Sequence, residues 1–278
     1  MMMTYLCDAC RKPLMPFNSG PHLIGGCASC GSVFLLETTA AIPEYEAAAG
    51  HMFDTTLLPL RQRQASTHLR LLESLTSGRR LLDIGAGRGW LVATARQAKW
   101  DAVGIDSSEA SARLSGGNVT TRPLEDIEPN SFDVVTLMDV IEHVSDRKRI
   151  LHAAARVLVD GGIAMVRVPN AAELVTRVKC YVDSHAGTAL LASLFGEHKV
   201  YYTLSGLREL VSDCGFRIVD VRYEHEDLAV TSFFGAKGAL YSSVLWFLRK
   251  LEWLMPPTQS ELLVVAINVR GEDHLGGS

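Results

Sequence analysis

The sequence predicts an α/β protein built on a doubly wound, mostly parallel sheet, with a small cysteine ribbon ahead of it. Three observations carry this prediction. Leu81 to Trp90, Leu-Leu-Asp-Ile-Gly-Ala-Gly-Arg-Gly-Trp, reads as a short buried strand running into a glycine-rich turn and then a helix. Strand-like apolar runs then alternate with helical ones as far as Tyr223, the pattern of a parallel sheet with crossover helices. Cys7-x-x-Cys10 and Cys27-x-x-Cys30, with sixteen residues between the pairs, have the spacing of two knuckles that close on one metal.

Taken in order, residues 1–37 form the ribbon. Gly25, Gly26 and Gly31 suit the tight turns of a knuckle, and Arg11 and Lys12 offset thiolate charge. Zinc is the metal that Cys7, Cys10, Cys27 and Cys30 favour, in a structural role, because four thiolates close a tetrahedral site and leave no position for a reactant. Two disulfides, or an iron site of rubredoxin type, are the alternatives. Cys180 and Cys214 lie outside the pattern and read as ordinary buried thiols.

Residues 38–78 are a linker followed by a helix, in which Leu57, Leu60, Ala65, Leu69, Leu72 and Leu75 recur at near-helical spacing before Gly78. The main domain spans 79–270. Gly85, Gly87 and Gly89 remove Cβ atoms where the chain bends and where a ligand lies against bare peptide. Such a turn suits a nucleotide-like molecule. Asp101-Ala-Val-Gly-Ile-Asp106 reads as a second strand ending in an acid, at about the 20-residue offset that places a carboxylate on ribose hydroxyls, with Ser107 beside it. A third glycine of the dinucleotide fingerprint is missing, since Trp90 stands there, which disfavours a nicotinamide-dependent oxidoreductase.

Ser107 to Leu114 is a short helix stopped by Gly116-Gly117, and Asn118 to Thr121 a weak third strand. Phe132 to Met138 alternates little and so reads as a central strand buried on both faces. Met138 and Asp139 come at its carboxyl end, the edge at which open α/β sheets bind ligands. Between this strand and a helix starting near Ser145-Asp146 lies Glu142-His143. His143 is the candidate general base, because an imidazole of ordinary pKa takes a proton from a hydroxyl at neutral pH. It is equally well read as a loop-shaping histidine, and Asp139, Glu142 and His143 also form a donor set for a divalent metal.

Gly162 to Val168 is the next strand. Residues 171–203 read as an inserted lid with helical stretches, ending in His198-Lys-Val-Tyr-Tyr-Thr203, of which His198, Tyr201 and Tyr202 are candidate pocket residues and His198 the weaker catalytic candidate. A helix to Cys214 and a strand Phe216 to Tyr223 follow. Residues 224–260 form an extra insertion rich in aromatic residues, with a helix-length run Leu240 to Leu254 that lines a pocket for an apolar acceptor, buries itself in a homodimer or simply packs in the core. Glu261 to Val269 closes the sheet and 271–278 is a loose tail.

Composition bounds the rest. At 278 residues, 47% hydrophobic and 21% charged, the chain holds one α/β domain and a small appendage. A net charge of −4 supplies no general basic field for nucleic acid. No basic segment followed by an apolar one opens the chain, and no stretch reads as a membrane span, so the expected compartment is the cytoplasm.

Asp83-x-Gly85-x-Gly87-x-Gly89 resembles motif I of the class I S-adenosylmethionine (SAM) methyltransferases. Phe132-Asp-Val-Val-Thr-Leu-Met-Asp-Val-Ile-Glu-His-Val144, with Arg156-Val-Leu-Val-Asp-Gly-Gly162 after it, resembles most the ubiquinone-biosynthesis O-methyltransferase branch. The resemblance covers roughly Leu57 to Val221. It implies a Rossmann-like seven-stranded sheet with the last strand inserted beside the fifth, SAM as cofactor, and methyl transfer to an oxygen of a small-molecule acceptor. It implies that Arg63, or its rival Arg61, reaches the carboxylate of SAM. It further implies that Asp83, Gly85, Gly87, Asp106, Ser107 and Met138 line the cofactor, with Leu124 and Glu125, then Asp126, at the adenine. Two other readings stay open: an rRNA or tRNA base methyltransferase that uses the ribbon on RNA, and a degenerate SAM domain that serves as a binding module.

Overall fold

The computed structural model describes residues 4–40, 58–191, 195, 198–224 and 259–269. The expected helix at Leu240 to Leu254, most of the 224–260 insertion and the 271–278 tail lie outside the described residues. The chain divides into two compact units, Met1–Pro43 with Val168–Glu209 and Arg222–Leu263, and Glu44–Arg167 with Leu210–Val221 and Val264–Ser278.

The first unit begins with three strands, β1 (Leu14–Ser19), β2 (His22–Cys27) and β3 (Val33–Thr38), paired antiparallel in sequence order. The second unit begins with α1 (Leu58–Leu75), which buries Ala65, His68, Leu69, Leu71 and Leu72 at helical spacing. β4 (Arg80–Ile84), α2 (Trp90–Gln97), β5 (Asp101–Ile105), α3 (Glu109–Leu114) and β6 (Val119–Thr120) follow as two crossover units. Then come β7 (Phe132–Met138), α4 (Arg147–Val157) and β8 (Leu158–Pro169). Asp146 caps α4 by accepting from the Arg149 amide at 3.1 Å.

β8 starts four residues before the expected Gly162. The reason is local: Gly161 takes a positive φ of 70°, and the β7–β8 register shifts between Phe132 and Val134, so extra residues are accommodated without ending the strand. The chain continues with α5 (Leu174–Ala186), β9 (Val200–Tyr201), α6 (Leu204–Asp213), β10 (Phe216–Glu224) and β11 (Glu261–Asn268).

Seven strands form one sheet in the order β10-β11-β8-β7-β4-β5-β6. β4 pairs in parallel with both β5 and β7, and β7 with β8. The last strand sits between β8 and β10, as expected. The strand order therefore reverses between β4 and β7, which opens a crevice at their carboxyl ends. Leu81, Leu82, Val134, Val135 and Leu137 are buried, so the two central strands supply the core beneath that crevice.

The other ends of β4 and β7 are tied by Asp133. Its carboxylate accepts from the Arg79 and Arg80 amides, both at 3.0 Å, and from the Arg80 guanidinium at 2.6 Å. The hydrogen bond from Arg80 holds the Asp133 carboxyl below its usual range against the opposing effect of burial. A depressed folded-state pKa stabilises above the unfolded pKa and is lost as pH falls through the folded value. Asp133→Ala is thus expected to cost about 1–3 kcal/mol near pH 7 and much less near pH 3, read from urea midpoints at the two pH values.

Candidate functional site

The crevice edge is built from four turns. After β4, Gly85, Gly87 and Gly89 have φ of 70°, 51° and 71°, a left-handed path that side chains strain. A Cβ on Gly85 would lie 2.5 Å from Val140 Cγ2, and one on Gly89 would lie 2.8 Å from Val119 Cγ2. The turn is folded back by the chain itself, since the Gly85 and Ala86 amides donate to the Ile105 carbonyl at 2.9 and 3.0 Å.

Asp106, at the end of β5, is buried and grips this turn. One oxygen accepts from the Gly87 amide at 2.8 Å and the other from the Ser108 amide at 2.9 Å. A carboxylate has about four lone-pair positions, so two acceptor positions remain for hydroxyl donors. Ser107 is exposed, whereas the buried Ser108 caps α3 by accepting from the Ser111 amide at 3.2 Å.

Asp83 lies beneath the turn, 4% exposed, and accepts from Thr136 Oγ1 at 2.6 Å. Burial pushes its carboxyl up to about 7, aided by the charge of Asp106 and opposed by the Thr136 hydrogen bond. A ligand cation near Asp83 would reverse that shift.

Of the two candidate arginines on α1, Arg63 is exposed, while the Arg61 guanidinium lies 6.0 Å from the ring of Trp90 at the start of α2. Arg88 lies 5.9 Å from the same ring. Both distances are in the range of cation–π attraction, so Trp90 anchors two guanidiniums beside the glycine turn.

Leu124 is buried in a single 3-10 turn, Leu124–Asp126, held by Arg156: Nη2 donates to Leu124 O at 2.9 Å and Glu125 O at 3.2 Å, and Nη1 to Ile127 O just past the turn at 2.7 Å. Glu125 is exposed and paired with Arg149 at 2.6 Å, and Asp126 is exposed as well.

Beyond β7, Met138 is half-buried and pairs in register with Arg167 on β8. The next residue, Asp139, has a φ of 59°, and its carboxylate takes both Arg167 nitrogens, one of them at 2.8 Å. The Arg167 side chain is only 8% exposed and that of Asp139 35%, so the pair is desolvated on its guanidinium side. Glu142 is fully buried and neither of its oxygens has a hydrogen-bond partner. Burial, and then the charge of Asp139, hold its carboxyl well above the usual range. His143 closes the turn with its amide on Val140 O at 3.1 Å, and its Nε2 is 3.9 Å from Glu142 Oε1. Its side chain is 22% exposed, which leaves it open to a ligand.

The structure therefore brings Gly85, Gly87, Asp83 and Asp106 together at one turn. Arg167, Thr136 and Ser108 were missed by the sequence reading. An arginine on a strand and a threonine in an apolar run carry no local signal until the register pairs them with Asp139 and Asp83.

In the first unit, the four cysteines converge. Cys7 Sγ is 3.6 Å from Cys30 Sγ, Cys10 Sγ is 3.4 Å from Cys27 Sγ, and all four lie within 4.8 Å of one another. Tetrahedral zinc with bonds of about 2.3 Å needs sulfurs about 3.8 Å apart, so the set fits the metal. The two knuckles are alike. The Arg11 and Gly31 amides donate to Cys7 O and Cys27 O at 2.9 and 2.8 Å, and both residues have a positive φ, 56° and 78°. His198, also in this unit, has Nδ1 3.0 Å from the Tyr201 hydroxyl and its ring edge-on to Tyr201.

These features define a class, an α/β enzyme fold with a nucleoside-type turn at the switch point of its sheet. The chain belongs to the methyltransferase-domain family, whose model matches residues 59–221. It is 36% identical over 124 residues to a ubiquinone biosynthesis O-methyltransferase of Methylococcus capsulatus, covering 40% of this chain and 50% of the relative. A relative of the same name from Alkalilimnicola ehrlichii is 31% identical over 141 residues, 44% of this chain and 56% of that one. The chain thus spans about half the length of these curated relatives. A SAM-dependent methyltransferase structure from Archaeoglobus fulgidus aligns over 81% of this chain and all of its own, with a TM-score of 0.55 at 18% identity. A complex between the Haloferax volcanii Trm112 methyltransferase activator and a methyltransferase aligns over 84% of this chain and 100% of the matched one, at a TM-score of 0.58 and 18% identity. Both likenesses establish the fold as that of the SAM-dependent enzymes. Among the described residues, no helix is long and apolar enough to cross a membrane.

The buried Asp83 gives a pH signature. Its carboxyl is raised in the fold, so the proton it retains stabilises at low pH, and the charge it must carry costs stability as pH rises toward about 7. In the ligand-free protein, Asp83→Asn is expected to raise Tm above that of the parent at pH 8 and to leave it nearly unchanged at pH 4, measured by calorimetry across that range.

Proposed function

We propose that this chain is a SAM-dependent methyltransferase that methylates an oxygen of a small-molecule acceptor. The single observation that supports it most is the cradle at the switch point: a left-handed glycine turn whose Cβ positions are filled by Val140 and Val119, gripped by an acid that keeps acceptor positions for a ribose diol. SAM supplies a sulfonium methyl that is already activated for in-line displacement. Asp106 would bind the ribose, bare peptide at Gly85 and Gly87 would let the cofactor lie close, and the buried Asp83 carboxylate would face the cationic amino acid end. Arg61 would take the carboxylate in place of Arg63, a reading supported by its guanidinium lying 6.0 Å from the Trp90 ring while Arg63 is exposed. Leu124 and Glu125 would flank the adenine, with Met138 beside the methyl donor.

His143 would take the acceptor proton. Its Nε2 lies 3.9 Å from the buried Glu142 Oε1, and Asp139 on the same turn is paired with Arg167. The ordinary work of the site is then positioning, which makes an intermolecular transfer effectively intramolecular. The ribbon would hold one zinc through Cys7, Cys10, Cys27 and Cys30.

The test begins with S-adenosylhomocysteine, the demethylated product, titrated by calorimetry, and with metal counted by mass spectrometry. One product molecule and one zinc per chain are expected, and a chain that binds no product refutes methyl transfer. An acceptor screen with phenols and hydroxylated polyketides follows, read as product release. Asp106→Ala is expected to weaken product binding by about a hundredfold, as loss of a charged hydrogen-bonding group does. His143→Ala is expected to lower kcat by about 10²–10⁴ while product affinity stays within about twofold. Unchanged turnover would remove His143 as the base.

A further inference from the structure

Within the first unit, the ribbon is joined to the run His198–Thr203 by more than packing. β3 pairs antiparallel with β9, Val33 with Tyr201 and Phe34 with Val200, so the ribbon sheet has four strands in the order β1-β2-β3-β9. The Leu35 amide extends the pairing onto Lys199 O at 2.9 Å. Asp8, between Cys7 and Cys10, accepts the Tyr202 hydroxyl with both carboxylate oxygens, at 2.9 and 2.8 Å. Beyond the other knuckle, Thr203 Oγ1 donates to Cys30 O, and the Thr203 amide donates to Ser32 Oγ at 3.3 Å. A Cβ on Gly206 would lie 2.2 Å from Ser32 Oγ and 3.3 Å from Cys30 Sγ, so α6 starts directly against the cysteine cluster.

The same segment is tied back to the end of β8. The Ala171 amide donates to Tyr202 O at 2.9 Å, and Asn170 bridges Tyr202 in parallel. Ile24, Val33, Ala171, Leu191, Phe195 and Tyr201 form one buried cluster, so the ribbon and the segment share a single core. Tyr202 is fully buried, with its ring edge-on to Phe34 at 6.0 Å. Residues 171–203, which the sequence suggests as a lid on the main domain, thus fold with the ribbon.

We infer that the ribbon is the positioning element of the run His198–Thr203: its knuckles hold that run through Asp8, Ser32 and the Cys30 carbonyl, so that metal in the ribbon governs the order of this segment and not that of the glycine turn. This rests on the reading that the ribbon holds one zinc. Asp8 and Ser32 act through Tyr202 and Thr203 and are positioning residues. The contacts reach different knuckles, one at Cys7–Cys10 and one at Cys27–Cys30. Loss of metal lets the knuckles separate and releases both ends of the dipeptide Tyr202-Thr203 together.

The experiment is amide hydrogen exchange with peptide mass spectrometry on the full chain, with zinc counted in every sample. Stripping zinc with a chelator is expected to speed exchange at 199–206 by about tenfold or more, while 85–92 and 119–120 keep their protection and S-adenosylhomocysteine binds within about twofold. Tyr202→Phe and Asp8→Ala are expected to retain zinc and speed exchange in the same peptides, and Asp8→Asn, whose side-chain carbonyl still accepts the hydroxyl, to restore it. If Asp8→Ala sheds zinc, Tyr202→Phe decides, because it leaves the ribbon sequence intact. Unchanged protection of 199–206 without zinc, equal loss at 85–92, or an Asp8→Asn no better than Asp8→Ala would each overturn the inference. Exchange is read from backbone amides and needs no methyl transfer, so failure of the methyltransferase reading, seen as no product binding by the parent, is distinguished from failure of the coupling.

Discussion

The carboxylate of Asp106 joins two backbone amides, Gly87 on the glycine turn and Ser108 at the cap of α3, and that clasp fixes the shape of the crevice edge. Without it the left-handed path through Gly85, Gly87 and Gly89 would have little to hold it, since glycine loses more conformational freedom on ordering than any other residue. The turn is close-fitting as well as bent. Val140 and Val119 already occupy the volumes that Cβ atoms on Gly85 and Gly89 would need, so the turn is shaped by its neighbours as much as by its own torsions. The carboxylate keeps lone pairs in hand, and an acid whose first task is structural still has capacity for a ligand.

The carboxyl end of β7 is a second polar site, arranged by charge compensation. Arg167 pairs with Asp139, and burial raises the carboxyl of Glu142, which lies next to His143. A buried carboxyl with no hydrogen-bond partner costs stability. Its retention next to the candidate base fits a site where polarity is needed more than the stability an apolar side chain would add.

The first unit shows how a small metal ribbon gains a core. A domain of about forty residues rarely buries enough apolar surface to fold alone, and metal ligation is one remedy. Here a shared cluster with 171–203 and a fourth strand are another, because Ile24 and Val33 pack with Leu191, Phe195 and Tyr201. Ser19 extends the union by donating to Asp183 on α5 at 2.6 Å.

The sequence by itself determined the parallel sheet, the glycine turn, the acid after β5 and the four-cysteine ribbon, because each is written in contiguous residues or in a spacing that chain geometry enforces. The helix before β4 was also legible, but not which arginine on it faces inward. Residues two apart on a helix lie about 200° apart around its axis, so Arg61 and Arg63 could not both meet Trp90, and only packing chose Arg61. Tertiary structure alone decided the pairing of Asp139 with Arg167, of Asp83 with Thr136, and of Asp8 with Tyr202. Those contacts join residues 28, 53 and 194 positions apart. Strand register and burial set them, and both arise only when distant parts of the chain fold against one another.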